Sequence, residues 1–331
     1  YKLIMVYSKK LAYLILAIIL IFNIIGMAIY SYLGRYLQYL GTQTLLIQIT
    51  VTLLPLTSFA FPPILGKISD KYQNRKLFIL IGAIGLPVIF LWSLLIENLI
   101  IIIILVLLYG LCSSLIGLSF ILFQEVVFND QNYISYYNSM VVLGWFFGAQ
   151  FGGIFIDFAG IENLFLFLLF FSLINLGLTV FLKEERELIV KGFEKSEGES
   201  KDFTLLIQDD NIPFNVSVYY GLFFRNFGIR PIMSILTIIM AFHLPTDSEI
   251  GFLIGINPLI QFFLMILMGK IISTKNQKLF MILGYILSAI VIFGYIISSN
   301  FIGFLIFQIL VSFSYSMFWS ATHFYIAQNT S

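Results

Sequence analysis

Two guanidinium groups stand where this sequence leaves least room for charge. The stretch YYGLFFRNFGIRPIMSILTIIMAF, residues 219–242, carries Arg225 and Arg230 within an apolar run, with Asn226 beside the first. An arginine keeps its proton at any ordinary pH and offers five N–H donors in a planar fork. Surrounded by hydrocarbon, such a group is expensive and marks a candidate binding site by default. Arg225, Asn226 and Arg230 are therefore candidates to hold an anionic or polyhydroxylated ligand. With a helix start near 216, Arg225 lies roughly 14 Å and Arg230 roughly 21 Å along the axis, which puts Arg230 near mid-membrane. A later start would leave Arg225 at the lipid head groups, and both placements stay open for it. Gly228 and Pro231 predict a locally bent or broken helix here.

Neutral polar side chains recur in the other apolar runs: Asn23, Gln48, Gln150, Asn257, Gln261 and Gln308. Asn257 and Gln261 are four apart, hence on one helix face, with Pro258 between them. Each can line a ligand cavity or simply bond a neighbouring helix, a contact worth about 0.6 kcal/mol in membranes. Tyr30, Tyr109 and Trp145 can stack on a ligand, but in a chain with 17% aromatics packing accounts for any one of them.

Other chemistry finds no support. His243 and His323 stand 80 residues apart without Cys or acidic partners at ligand spacing, so no metal is expected. Cys112 is the single cysteine. No phosphate-cradling glycine loop precedes a lysine, and no nucleophile-and-base signature is present, so no cofactor and no enzymatic activity are expected. A net charge of +1 gives no footprint for nucleic acid.

The elements that must position these groups follow from composition. The 331 residues are 60% apolar with a mean hydropathy of +0.99. The apolar stretches are continuous and about 20 residues long, the length at which a helix crosses a bilayer. Ten spans are predicted, near 11–33, 44–65, 77–96, 99–123, 137–158, 163–182, 216–241, 249–269, 278–298 and 301–326. The segment 183–212 carries nine acids and five bases and reads as a charged cytoplasmic linker between 1–182 and 213–331. Fifteen of the eighteen Lys and Arg fall on one side of this topology. That side is expected to be the cytoplasm, with the N-terminus there too.

A charged connection occurs twice. Residues 66–82 read GKISDKYQNRKLFILIG and residues 269–284 read GKIISTKNQKLFMILG, each between the second and third span of its half. Such an internal repeat implies two bundles of equal topology.

Here the chain resembles the major facilitator superfamily of secondary transporters. That family carries G-x-L-A-D-[RK]-x-G-[RK]-[RK] between its second and third helices. The counterparts are Gly66, Ile68, Ser69, Asp70, Lys71, Arg75 and Lys76, while Gln73 and Asn74 depart from the pattern. The resemblance implies an all-α polytopic membrane protein of two six-helix bundles, in which Gly66, Asp70, Lys71, Arg75 and Lys76 form a cytoplasmic gate. The lysines alone are better explained as topology signals at the lipid head groups, whereas an acid such as Asp70 gains nothing from the positive-inside rule. Span 5 contains GWFFGAQFGG, similar to the G-x-x-x-G-P-x-x-G-G of exporters in the superfamily, with Ala149 in place of proline. Gly144, Gly148, Gly152 and Gly153 would alternatively form a packing seam. Twelve helices are usual in the family, so a chain lacking the last two is expected.

The function implied is alternating-access transport of a small solute across the plasma membrane by a monomer, with a coupling ion such as a proton left open. Import of a sugar or organic anion and efflux of a drug-like compound are both compatible. A non-transporting membrane sensor or assembly factor on the same scaffold is the alternative.

Overall fold

The computed structural model of the chain describes residues 2–72, 74–126, 131–182 and 216–329. Gln73, the 183–212 segment and the side chains of Glu125 and His323 lie outside the described residues.

Among the described residues ten long helices follow one another: α1 Lys2–Tyr39, α2 Thr44–Tyr72, α3 Arg75–Leu95, α4 Leu99–Val126, α5 Gln131–Ala159, α6 Leu164–Val180, α7 Val216–Ala241, α8 Asp247–Ile271, α9 Gln277–Ile297 and α10 Phe301–Asn329. A 3₁₀ turn, Ile161–Asn163, leads into α6. Among the described residues, ten segments are long and apolar enough to cross a membrane. Their surfaces agree: Phe158 is 91% and Phe59 80% exposed, a display that suits lipid rather than water.

The helices divide into two compact units, Tyr1–Lys195 and Ser196–Ser331. In the first, α1 is central and packs on α2, α4, α5 and α6, while α3 packs on α4 and α6. Its buried stripe, with Ile15, Ile18, Ile25, Tyr32 and Leu33 nearly inaccessible, explains why the most apolar face points inward. In the second, α9 and α10 form a hairpin, α10 also packs on α8, and α7 touches α8 and α9. Leu236, Met240, Ile250, Leu253, Val291, Tyr295 and Phe304 make its core.

Two local expectations are corrected. The second span was expected to end near 65, but α2 continues through Pro55, Pro62 and Pro63 to Tyr72. The charged residues 66–76 therefore ride on two helix ends, with only positions 73 and 74 between them. Likewise α7 runs unbroken through Gly228 and Pro231. A proline forfeits one N–H, and an apolar environment gives the remaining carbonyls no better partner than the helix itself.

The repeat has a structural counterpart in each unit. Asn74 and Asn276 both occupy the N-cap, of α3 and α9 respectively. Asn74 Oδ1 accepts from the Leu77 N–H at 3.1 Å, whereas Asn276 Oδ1 accepts from Ser273 N–H at 2.7 Å. The closing glycines match more closely. A Cβ on Gly82 would lie 2.6 Å from the Cys112 carbonyl oxygen of α4, and one on Gly284 would lie 2.6 Å from Phe318 Cβ of α10. Each third helix is thus pressed onto the fourth through a position only hydrogen can fill.

Candidate functional site

At the charged turn, Asp70 comes from the last helical turn of α2 and Arg75 opens α3. The Arg75 Nη1 and Asp70 Oδ1 lie 3.0 Å apart, with Arg75 14% and Asp70 63% exposed. The two expected gate residues therefore pair with each other. A Cβ on Gly66 would meet nothing within 4 Å, so no close approach requires glycine there in this structure.

The glycines of span 5 lie against α1. A Cβ on Gly144 would sit 2.5 Å from Asn23 Cβ and 2.8 Å from the Leu20 carbonyl oxygen. One on Gly148 would overlap the Ile24 carbonyl, and one on Gly152 would come 2.8 Å from the Tyr32 ring. Gly153 is buried beside them. Tyr32 Oη donates to the Ala149 carbonyl at 2.8 Å and closes the seam. Asn23, half-buried at this seam, donates back to Ile19 O at 2.7 Å. Gln150 is half-buried, and its Oε1 is buried without a hydrogen-bond partner.

The cation on α7 has the most developed surroundings. Arg225 is half-buried, and its Nε donates to Ser288 Oγ of α9 at 2.9 Å. Ser288 and Ser314 of α10 lie 2.6 Å apart, and both hydroxyls reach the Gly284 carbonyl, at 2.9 and 2.8 Å. The guanidinium carbon sits 3.9 Å from the Phe318 ring centroid and 5.6 Å from that of Tyr315. Stacking of this kind contributes about 0.5–2 kcal/mol. Arg230 is exposed. Neither arginine has a carboxylate partner among the described residues. Asn226 does not join them; its Nδ2 donates to Leu222 O of its own helix at 2.9 Å.

On α8, Gln261 Nε2 donates to Asn257 Oδ1, and Ser312 of α10 approaches the same oxygen at 2.9 Å. The structure thus forms two polar groups on α10, one around Arg225 and one around Asn257. Sequence reasoning missed Ser288, Ser312, Ser314 and Phe318, whose only signal was a small hydroxyl or a ring inside an apolar run. It also missed Asn175, which is fully buried on α6 and donates to Ile18 O of α1 at 2.9 Å. Among the described residues no cluster of three or more His, Cys, Asp or Glu could hold a metal.

Ten apolar helices in two units, with matched glycine contacts in each, define a polytopic α-helical membrane protein. The family model described as Major Facilitator Superfamily matches residues 16–331, and the chain belongs to that family of transporters. In structure it is similar to the nucleoside transporter NupG, with a TM-score of 0.76 and 13% identity over 97% of this chain and 83% of that one. It is similar also to the xylose transporter XylE from E. coli in an inward-open conformation, at 0.68 and 16% over 95% and 81%. A bacterial homolog to the human lysosomal transporter Spinster gives 0.70 and 13% over 96% and 74%. At these identities the likeness is one of fold. No curated protein sequence matches the chain.

Proposed function

We propose that this chain carries a small anionic solute across the plasma membrane by alternating access, with Arg225 as the principal anchor and Arg230 as a second positive charge. The observation that carries the reading is the Arg225 guanidinium itself. It is held inside a membrane span by one serine and two aromatic rings, with no carboxylate to neutralise it among the described residues. A charge kept there uncompensated is costly unless an anion arrives to share it. Structural neighbours named as nucleoside and xylose transporters fit a small polar solute.

Asp70 and Arg75 are proposed to form a latch, paired in this state and separable in another. A solute shifts such an equilibrium only through its differential affinity for the two states. The basic residues at 67–76 and 270–278 support a cytoplasmic side for those turns and for the N-terminus. Asn257 and Gln261, in the second unit, are proposed as the neutral part of the solute's surroundings.

The test is flux of radiolabelled gluconate and glucose into proteoliposomes, with and without a pH gradient. Uptake of the anion that is abolished in Arg225→Gln is expected. Equal handling of both compounds by the native chain and the variant would remove the arginine from the site. The pH arm reports whether a proton travels too.

A further inference from the structure

The amides between α8 and α10 are tied off on one side and open on the other. Ser312 Oγ lies 2.9 Å from Asn257 Oδ1, 3.1 Å from the Asn257 backbone carbonyl and 2.8 Å from the Gln308 carbonyl one turn back. Gln308 and Ser312 therefore share a face of α10, and that face meets Asn257. Gln308 is 1% exposed, yet neither its Nε2 nor its Oε1 has a hydrogen-bond partner.

Counting donors and acceptors shows what is missing. A primary amide has two N–H donors and a carbonyl with two lone pairs. The bond between Asn257 and Gln261 consumes one donor and one lone pair whichever way the two amides are turned. One full carbonyl and three N–H groups remain, on side chains that are only half-buried. Gln308 adds a second carbonyl and two further N–H groups. Hydrocarbon can satisfy none of these, and a partly satisfied polar network is costly. None of the four side chains is charged, so the complement is a neutral group that both donates and accepts, which is what a hydroxyl does.

The position of this group supplies a size. Tyr315, beside Arg225, is three residues from Ser312, and Phe318, beneath the guanidinium, is six. Six residues span about 9 Å of helix axis. A chain of five or six carbons can reach from one group to the other.

We infer that Asn257, Gln261, Ser312 and Gln308 form a subsite for the hydroxyl-bearing portion of the solute, which is then a polyhydroxylated carboxylate or phosphate of about sugar size. The charged end of that solute rests on the anion reading above, while the hydroxyl subsite rests on the amides alone.

The test is calorimetric titration of the purified full chain in detergent micelles with three probes. Gluconate has charge and hydroxyls, hexanoate charge only, and myo-inositol hydroxyls only. Gluconate is expected to bind at least about tenfold more tightly than hexanoate. Asn257→Leu and Gln261→Met should each bring that ratio close to one, and Arg225→Gln should weaken both anions alike. If Asn257→Leu does not fold, Ser312→Ala, which removes a single hydroxyl, should lower the ratio in the same direction. A ratio near one in the native chain, or a ratio preserved in Gln261→Met and Ser312→Ala, overturns the subsite. Binding of myo-inositol alone, lost in Gln261→Met, overturns the anion reading and upholds the subsite. Binding of none of the three overturns both.

Discussion

The guanidinium of Arg225 lies over the Phe318 ring, its central carbon 3.9 Å from the ring centroid, while Nε donates to Ser288 Oγ at 2.9 Å. One cation thereby joins α7 to both α9 and α10. A lysine would keep the charge but lose the guanidinium–ring contact and the directed Nε bond. Arg225→Lys is expected to lower stability by roughly 1–2 kcal/mol, read as a fall in thermal unfolding temperature in micelles. Unchanged unfolding would mean that the ring contact contributes nothing and that charge alone matters.

The glycines that close the two charged repeats offer a paired experiment. Gly82 faces the Cys112 carbonyl and Gly284 faces Phe318 and the Ser314 carbonyl, all closer than a real Cβ tolerates. Gly82→Ala and Gly284→Ala should each destabilise by roughly 1–3 kcal/mol, the usual penalty of overpacking. Gly66 opens the first repeat but meets open space. On stability alone Gly66→Ala should be neutral or slightly favourable, because alanine is the better helix former. A loss of flux in that variant without loss of stability would point to a second conformation in which α2 is approached closely.

The Asp70–Arg75 pair is unequal, with the acid 63% and the arginine 14% exposed. An ion pair so open to solvent contributes under about 1 kcal/mol. Asp70→Asn should therefore leave the unfolding temperature almost unchanged. If the pair is a latch, the same substitution should alter the initial rate of solute flux several-fold. Loss of flux proportional to loss of folded protein would make the pair a structural detail.

The repeated architecture was legible because it depends on features that sequence carries directly. Apolar runs of bilayer length, short polar breaks and the doubled charged turn placed ten helices to within a few residues, except at both ends of α1, the end of α2 and the start of α5. Those four ends were missed because apolarity stops at the head groups whereas a helix does not. Pro231 misled for a related reason: its missing N–H is a local cost, and the rest of α7 has no competing partners. The surroundings of Arg225 were illegible for a different cause. Ser288 is 63 residues away in the chain. A serine or a phenylalanine in an apolar run looks the same whether it faces lipid, a neighbour or a cation. Asn226, adjacent in sequence, was the natural choice and proved to bond only its own helix.

The span 5 glycines admit two readings that one substitution can separate. Gly144, Gly148 and Gly152 let α5 lie on the backbone of α1, and Tyr32 fastens the pair by donating to Ala149 O. A Cβ at Gly148 would overlap the Ile24 carbonyl, a main-chain atom that no side-chain rotation can move aside. Gly148→Ala must then push the helices apart, at a cost of roughly 1–3 kcal/mol. If the seam is packing alone, the variant yields less folded protein, and each folded molecule transports at the native rate in both directions. If the seam sets direction, as the resemblance to exporters implies, the ratio of inward to outward flux changes at equal folded content. Proteoliposomes loaded on one side or the other, normalised to folded protein by size-exclusion profile, measure that ratio. The contact with Ile24 favours the first outcome, because it constrains where α5 sits on α1 and nothing else.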